Sequence, residues 1–192
     1  MKLKPLLLGV ALMGTASISA AGALDANLNN DSARLALSWM TSPSPNSLEG
    51  EAAIYYNTDG YYVGTLGIRV VGETGRQGNP LEAGVGGKLI GITSGDDDNL
   101  DAIGLGLGFG LRYYPVSVNR LAFGGQIHYA PEIVAFGDVN NLLEGILTVE
   151  YQVLPQAFAY MGYRLLKVER EDTGESQDVD EGAHVGMRIL FQ

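Results

Sequence analysis

The chain contains no cysteine, which excludes disulfide stapling, thiolate metal ligation and a cysteine nucleophile. It has only two histidines, His128 and His184, too few to build a zinc site without thiolates. Asp96, Asp97 and Asp98 are consecutive, whereas a calcium loop spaces its ligands at alternate positions. Basic residues are scarce, 12 against 22 acidic for a net charge of −10, which argues against nucleic acid as a partner. No metal and no cofactor are expected. Beyond the N-terminus no apolar run reaches the roughly 20 residues of a spanning helix, and no useful stretch repeats with a 3.6-residue period.

What is present starts with a leader. In "MKLKPLLLGVALMGTASISAAGA", Lys2 and Lys4 precede a short apolar run from Pro5 to Met13. Small residues follow, giving two acceptable cleavage sites, after Ala21 and after Ala23. Residues 1–21 are therefore expected to be a secretory signal peptide, and 22–192 a single exported domain of about 170 residues.

That domain is a series of alternating segments separated by turn chemistry. They cover 34–39, 51–57, 61–71, 81–93, 102–113, 121–129, 143–153, 157–168 and the C-terminal stretch. "ALDANLN", residues 23–29, alternates as well. The expected fold is all-β, a closed antiparallel up-and-down transmembrane barrel of ten strands, or eight if an early pair merges. An even number returns both termini to one side of the membrane. "LPQ" and "PVSVN" are expected to be short turns on the side of the termini. The 130–141 and 169–182 segments and "SGDDDNL" are expected to be longer loops on the other side. The first half fits less well, because "NTDG" is short and "GETGRQGNP" long.

A soluble barrel would alternate too, with its apolar face inside. Here the other face is rich in glycine and small residues, which suits the crowded inside of a small barrel. Aromatics gather at strand ends (Trp39, Tyr55, Tyr56, Tyr61, Tyr62, Tyr113, Tyr114, Tyr129 and Phe191), as interface girdles do. The apolar stripe is thus expected to meet lipid. Ile103, Leu105, Leu107, Phe109 and Leu111 form one such stripe, and Gly104, Gly106, Gly108 and Gly110 line the lumen behind it. Strand glycines often mark close approach, and here they would leave room for long side chains such as Arg164 and Arg188. By the same parity Arg69, Lys88, Arg112, His128, Glu150, Arg164 and Arg188 point inward, with Glu51 and Gln126. Inward charges must be paired.

The last strand, "HVGMRILFQ", sets His184, Gly186, Ile189 and Phe191 in a polar–Gly–apolar–aromatic spacing. That spacing resembles the C-terminal assembly signal of bacterial outer-membrane barrels, with Gln192 as an added residue. "GGKLIGITSGDDDNLDAIGLGLGFGLRYYP", "AFGGQIHYAPE" and "AYMGYRLLKVE" resemble the core of the YfaZ-type outer-membrane protein family, over roughly 81–191. The resemblance implies a barrel of the Gram-negative cell envelope, exported through the periplasm. It supplies no catalytic residues.

Other chemistries leave weak traces. Gly104 to Gly110 run at period two and are followed by Tyr113-Tyr114-Pro115, not by the helix a dinucleotide site needs. "GVGGKL", residues 84–89, lacks the first glycine and the final hydroxyl of a phosphate loop. His128, with Glu150 on a neighbouring strand as orienter, could serve a lipid-modifying enzyme. The expected role is structural or interactive, without catalysis. The alternative is a narrow porin-like channel with an arginine-lined lumen. The expected partners are outer-membrane lipid, lipopolysaccharide and the barrel assembly machinery, with the protein monomeric.

Overall fold

The computed structural model describes residues 21–41, 46–73, 80–95 and 100–191. The leader before Ala21 and the Asp96–Asp98 loop lie outside the described residues. Alternation drives strand formation throughout, because each segment can turn one face to lipid and the other to the lumen. In chain order the strands are β1 (Ala21–Leu28), β2 (Ser32–Met40), β3 (Asn46–Asn57), β4 (Tyr61–Glu73), β5 (Leu81–Ser94), β6 (Asp101–Tyr113) and β7 (Leu121–Ala130). A single 3-10 turn, Glu132–Val134, leads into the three-residue β8 (Ala135–Gly137). β9 (Val139–Leu154), β10 (Ala157–Arg170) and β11 (Ser176–Phe191) complete the wall.

Leaving β8 aside, each strand pairs antiparallel with the next, β7 with β9 among them, and β1 pairs β11, so ten strands close into a barrel. β8 adds a short rung beside β6 at Ala102–Gly104. The register is staggered. Followed once round the wall from Phe191, it returns to β11 at Asp178. Such stagger forces the strands to tilt against the barrel axis. Both chain ends lie at one rim, called here the termini end. The turns at 29–31, 58–60, 131–138 and 171–175 lie at the far end.

The far end departs from expectation in two places. The 169–182 segment is not a loop, because β10 and β11 continue their ladder up to Glu169–Ser176. A bulge between Leu166 and Lys167 of β10 leaves an extra residue on β11, and Val179 and Asp180 both become buried. Bulges re-aim side chains in this way. The 130–141 segment is likewise mostly ordered, as the 3-10 turn, β8 and the start of β9. On the β1 side the ladder of β11 stops at Val185–Leu28. Above that point Asn57 donates a side-chain hydrogen bond to the Val179 carbonyl, which caps part of the free edge. The tight 58–60 turn depends on Gly60, whose φ of +86° favours glycine.

The outer surface carries an apolar belt from Leu24 and Leu35 through Ile68, Leu107 and Phe109 to Leu147, Met161 and Ile189. Tyr56, Tyr62 and Tyr129 edge it at the far end, and Tyr113, Tyr151 and Phe191 at the termini end. Trp39 and Phe191 cross their neighbouring strands and lie over Gly50 and Gly22. Three expected girdle residues are not in the girdle. Tyr55 and Tyr61 are buried inside, and Tyr114 turns toward Glu82 at the lumen mouth. Tyr55 and Tyr61 follow the inward parity of their strands, which adjacent aromatic pairs such as Tyr55-Tyr56 conceal.

The interior is not polar throughout, as alternation suggested. In its far half Tyr55, Tyr61, Val63, Ile90, Ile92, Leu100, Leu142, Leu166, Val168 and Val179 form one buried apolar cluster inside the barrel. Each fully buried aliphatic side chain there contributes roughly 1.5–3 kcal/mol. The signal is visible in "KLIGI", "NNLLEGIL" and "RLLKV", where neighbouring apolar residues break the alternation because both faces are apolar.

Two alanine substitutions test the packing. A Cβ on Gly186 would lie 2.4 Å from Tyr160 Cζ, whereas one on Gly64 would have nothing within 4 Å. Gly186→Ala is expected to cost about 1–3 kcal/mol through overpacking, and Gly64→Ala less than about 0.5. Urea unfolding in micelles, followed by tryptophan fluorescence, measures both. The leader can be tested independently. Gly22 pairs with Phe191 and carries its ring, so cleavage after Ala21 preserves a contact that cleavage after Ala23 removes. Intact-mass analysis of the exported protein is expected to find Gly22 first.

Candidate functional site

The candidate site is the charged lumen beneath the apolar cluster. Its residues come from the inward parity of all ten barrel strands, so neighbours in space are far apart in sequence. Asp25 of β1 is the hub. It faces Arg188 across the β1–β11 pair and accepts from Arg188 Nε at 3.2 Å and from the Tyr160 hydroxyl. Arg34 Nη1 approaches the same carboxylate at 3.7 Å.

Two branches leave this hub. Along one, Arg188 Nη1 reaches Glu150 Oε2 at 3.1 Å, and Arg112 Nη2 donates to Glu150 Oε1 at 2.8 Å. Along the other, Arg34 donates to Glu51 at 2.9 Å, and Lys88 Nζ lies 3.3 Å from Glu51 and 2.7 Å from Glu144. Arg164 is held separately by Asp180, by Asn27 Oδ1 at 2.7 Å and by Ser32 Oγ at 2.7 Å. Its guanidinium also lies 5.1 Å from the centre of the Tyr55 ring. Asn27 donates to Tyr160 at 3.0 Å, which ties this cluster to the hub. Arg69 forms its own pair with Glu49, at 2.7 Å from Nη2, and donates to Gln126 at 3.2 Å.

Arg69, Lys88, Arg112, His128, Glu150, Arg164 and Arg188 all point into the lumen. Arg69 stands apart from the network that joins most of the others. His128 does not use Glu150. Its cross-strand neighbour is Glu144, with Nδ1 3.4 Å from Glu144 Oε2 but without hydrogen-bond geometry. Glu150 is committed to Arg112 and Arg188 instead. The two acids sit six residues apart on β9, and parity alone does not choose between them.

The glycines Gly104, Gly106, Gly108 and Gly110 face inward, and side chains fill the space they leave. The occupants are not Arg164 and Arg188, as expected, but residues of nearer strands. Leu142 lies against Gly104, His128 against Gly106 and Gly108, and Arg69 against Gly110. A Cβ on Gly108 would meet the Ile127 carbonyl at 2.1 Å. Arg164 is held on the opposite wall by β1, β2 and β11.

In the C-terminal strand, His184 and Gly186 are inward and Ile189 and Phe191 outward. The His184 ring meets Tyr160 edge-on at 5.8 Å between centroids, and Gly186 makes room for the Tyr160 ring. Asp25, Arg34, Glu49, Glu144, Tyr160 and Asp180 were not anticipated. Asp25 and Arg34 are lone charges within apolar alternation, a pattern that marks a lumen residue. Asp180 was hidden in a segment that reads as a loop.

Below the network lies a cavity of about 360 Å³, open toward the termini end. Its floor includes Arg34, Arg164 and His184, and its rim Met40, Val71, Glu82, Tyr114 and Leu190. Among the described residues no group of His, Cys, Asp and Glu could hold a metal ion.

The ion pairs differ in weight. Arg164 and Asp180 are 1% and 3% exposed, whereas Lys167 on the outer wall is 36% exposed. Stranding a buried charge costs about 3–5 kcal/mol, and an exposed pair contributes about 0–1. Asp180→Ala is therefore expected to shift the urea midpoint strongly and Lys167→Ala hardly at all.

The family model described as "YfaZ precursor" matches residues 2–191. Among solved structures the chain is similar to the outer membrane protease OmpT from Escherichia coli, at 11% identity and a TM-score of 0.46, over 91% of this chain and 98% of that one. It is similar to the KdgM porin at 10% identity and a TM-score of 0.42, over 90% and 99%. It is also similar to Neisserial surface protein A at 14% identity and a TM-score of 0.38, over 90% and 94%. No curated protein matches.

Proposed function

The chain belongs to the YfaZ family of outer-membrane β-barrels, and from that premise we propose that it is a non-conducting barrel with a structural or interaction role. One observation carries the reading. The far half of the lumen is filled by the buried apolar cluster, in which Ile90, Leu100, Leu142 and Leu166 have no solvent exposure. A water-filled path for ions would have to pass through that cluster. The ion-pair network beneath it holds opposite walls together. In this reading the termini face the periplasm, and the cluster seals the lumen from the cell exterior.

The chain's partners follow from its surface. The apolar belt suits acyl chains, and no separate subunit is required to cover it. His184, Gly186, Ile189 and Phe191 are proposed as the segment read by the assembly machinery. A lipid-modifying enzyme is disfavoured because His128 is buried against glycines and its acidic neighbour is engaged by Lys88.

Planar-bilayer recording tests the proposal. Wild-type protein is expected to give no reproducible current, and Leu142→Ala combined with Leu166→Ala to give at least transient openings. A steady wild-type conductance that changes in Arg112→Ala would replace this reading with the arginine-lined channel. Release of acyl chains from lipid A, lost in His128→Ala, would replace it with the enzyme.

A further inference from the structure

We infer that the cavity at the termini end is a binding site for a small soluble organic anion bearing more than one carboxylate or phosphate group. Its volume of about 360 Å³ lies in the range of small-molecule pockets, roughly 300–1,000 Å³. The inference rests on the proposed orientation only for the compartment that supplies the ligand.

The charge of the cavity surface carries the argument. Arg69 of β4, Arg112 of β6 and Arg188 of β11 reach the cavity from different parts of the wall. Each is more exposed than the carboxylate that pairs with it: 29% against 21% for Arg69 and Glu49, 31% against 3% for Arg112 and Glu150, 22% against 10% for Arg188 and Asp25. At Arg112 and Arg188 the shared carboxylate Glu150 lies behind the guanidiniums, so the surface a solute meets there is cationic, whereas Glu51, 26% exposed against 5% for Arg34, stands forward of its partner. Sharing strengthens the effect. Arg112 and Arg188 divide Glu150 between them, and Arg188 and Arg34 divide Asp25.

Donors remain available on this surface. Among the described residues the ion pairs of Arg188 engage Nε and Nη1, which leaves Nη2 for a ligand. A guanidinium edge matches a planar carboxylate or a phosphate in two-point contact. Gln126, Thr148 and Ser38 add neutral polar groups to the same lining. Five acids also line the cavity. Asp25, Glu51 and Glu150 are engaged by arginines and Lys88, and Glu51 is the most exposed of these three at 26%. Glu49 accepts two bonds from Arg69, and Glu82 stands at the rim beside the Tyr114 hydroxyl at 3.5 Å. Deep cations behind a mixed rim favour a compact anion over a long polyanion.

The single tryptophan of the chain, Trp39, stands beside the cavity mouth on the outer face of β2, over Gly50, so calorimetry is the primary readout and fluorescence a secondary one. Micellar protein is titrated with citrate by calorimetry, and the titration is repeated while its fluorescence is followed. Saturable binding is expected, weakened at least tenfold in Arg112→Ala and in Arg69→Ala. Arg112→Lys, which keeps the charge and loses the fork, is expected to fall between. Heat-modifiable migration on gels confirms that each variant is folded. Neither glucose nor spermidine is expected to give a saturable signal. The inference is overturned if wild-type protein shows no saturation by citrate up to roughly 10 mM, beyond the millimolar range of loose complexes. It is also overturned if folded Arg112→Ala and Arg69→Ala bind as wild type does, or if spermidine binds equally well. Bilayer recording in citrate keeps the two readings apart. A steady current would sink the sealed-barrel reading and leave the anion site standing.

Discussion

Charges that point into a ten-stranded barrel cannot be left alone. The lumen is narrow enough for side chains from opposite walls to meet, and water does not replace a missing partner there at low cost. Asp25 shows how the constraint is met. Its carboxylate is reached by Arg188 from β11, Tyr160 from β10 and Arg34 from β2. Those strands flank the seam where the first and last strands join. The seam ladder is short, ending at Leu28 and Val185, so the polar contacts inside reinforce a junction that backbone pairing covers only in part.

The interior is layered along the barrel axis as a consequence. The apolar cluster occupies the far half, the ion-pair network the middle, and the cavity the termini end. The layers need each other. Burial beneath the cluster removes solvent screening from Lys88, Glu144 and Arg164, which strengthens their pairing. The pairs in turn fix the walls against which Leu142 and Leu166 pack. The bulge at Val179 and Asp180 serves both layers, since it sends one apolar side chain into the cluster and one carboxylate to Arg164. The stripe Gly104 to Gly110 crosses all three layers, and a different side chain fills each part of it: Leu142, then His128, then Arg69.

Alternation, which is local, made much of this legible before any coordinates. A period of two assigns each residue to lipid or lumen without knowledge of its partners, so Arg112, His128, Glu150, Arg164 and Arg188 could be placed inside. Their partners could not be named. Which carboxylate meets His128 depends on the register between β7 and β9, and a shift along β9 would exchange Glu144 for Glu150. The far half was misread for a related reason. Where both faces of a strand are apolar, alternation carries no information about which face meets lipid, so Ile90, Leu142 and Leu166 did not stand out as a plug.

The sequence by itself determined that this is an exported, disulfide-free antiparallel barrel with an apolar exterior and a small-residue, charged interior. Composition and side-chain period are sufficient for that, because both are properties of each strand alone. The tertiary structure decided which charges pair, what fills the space beside the glycines, and where the lumen is closed. Those outcomes depend on stagger, tilt and one bulge, which set the height at which side chains from different strands meet.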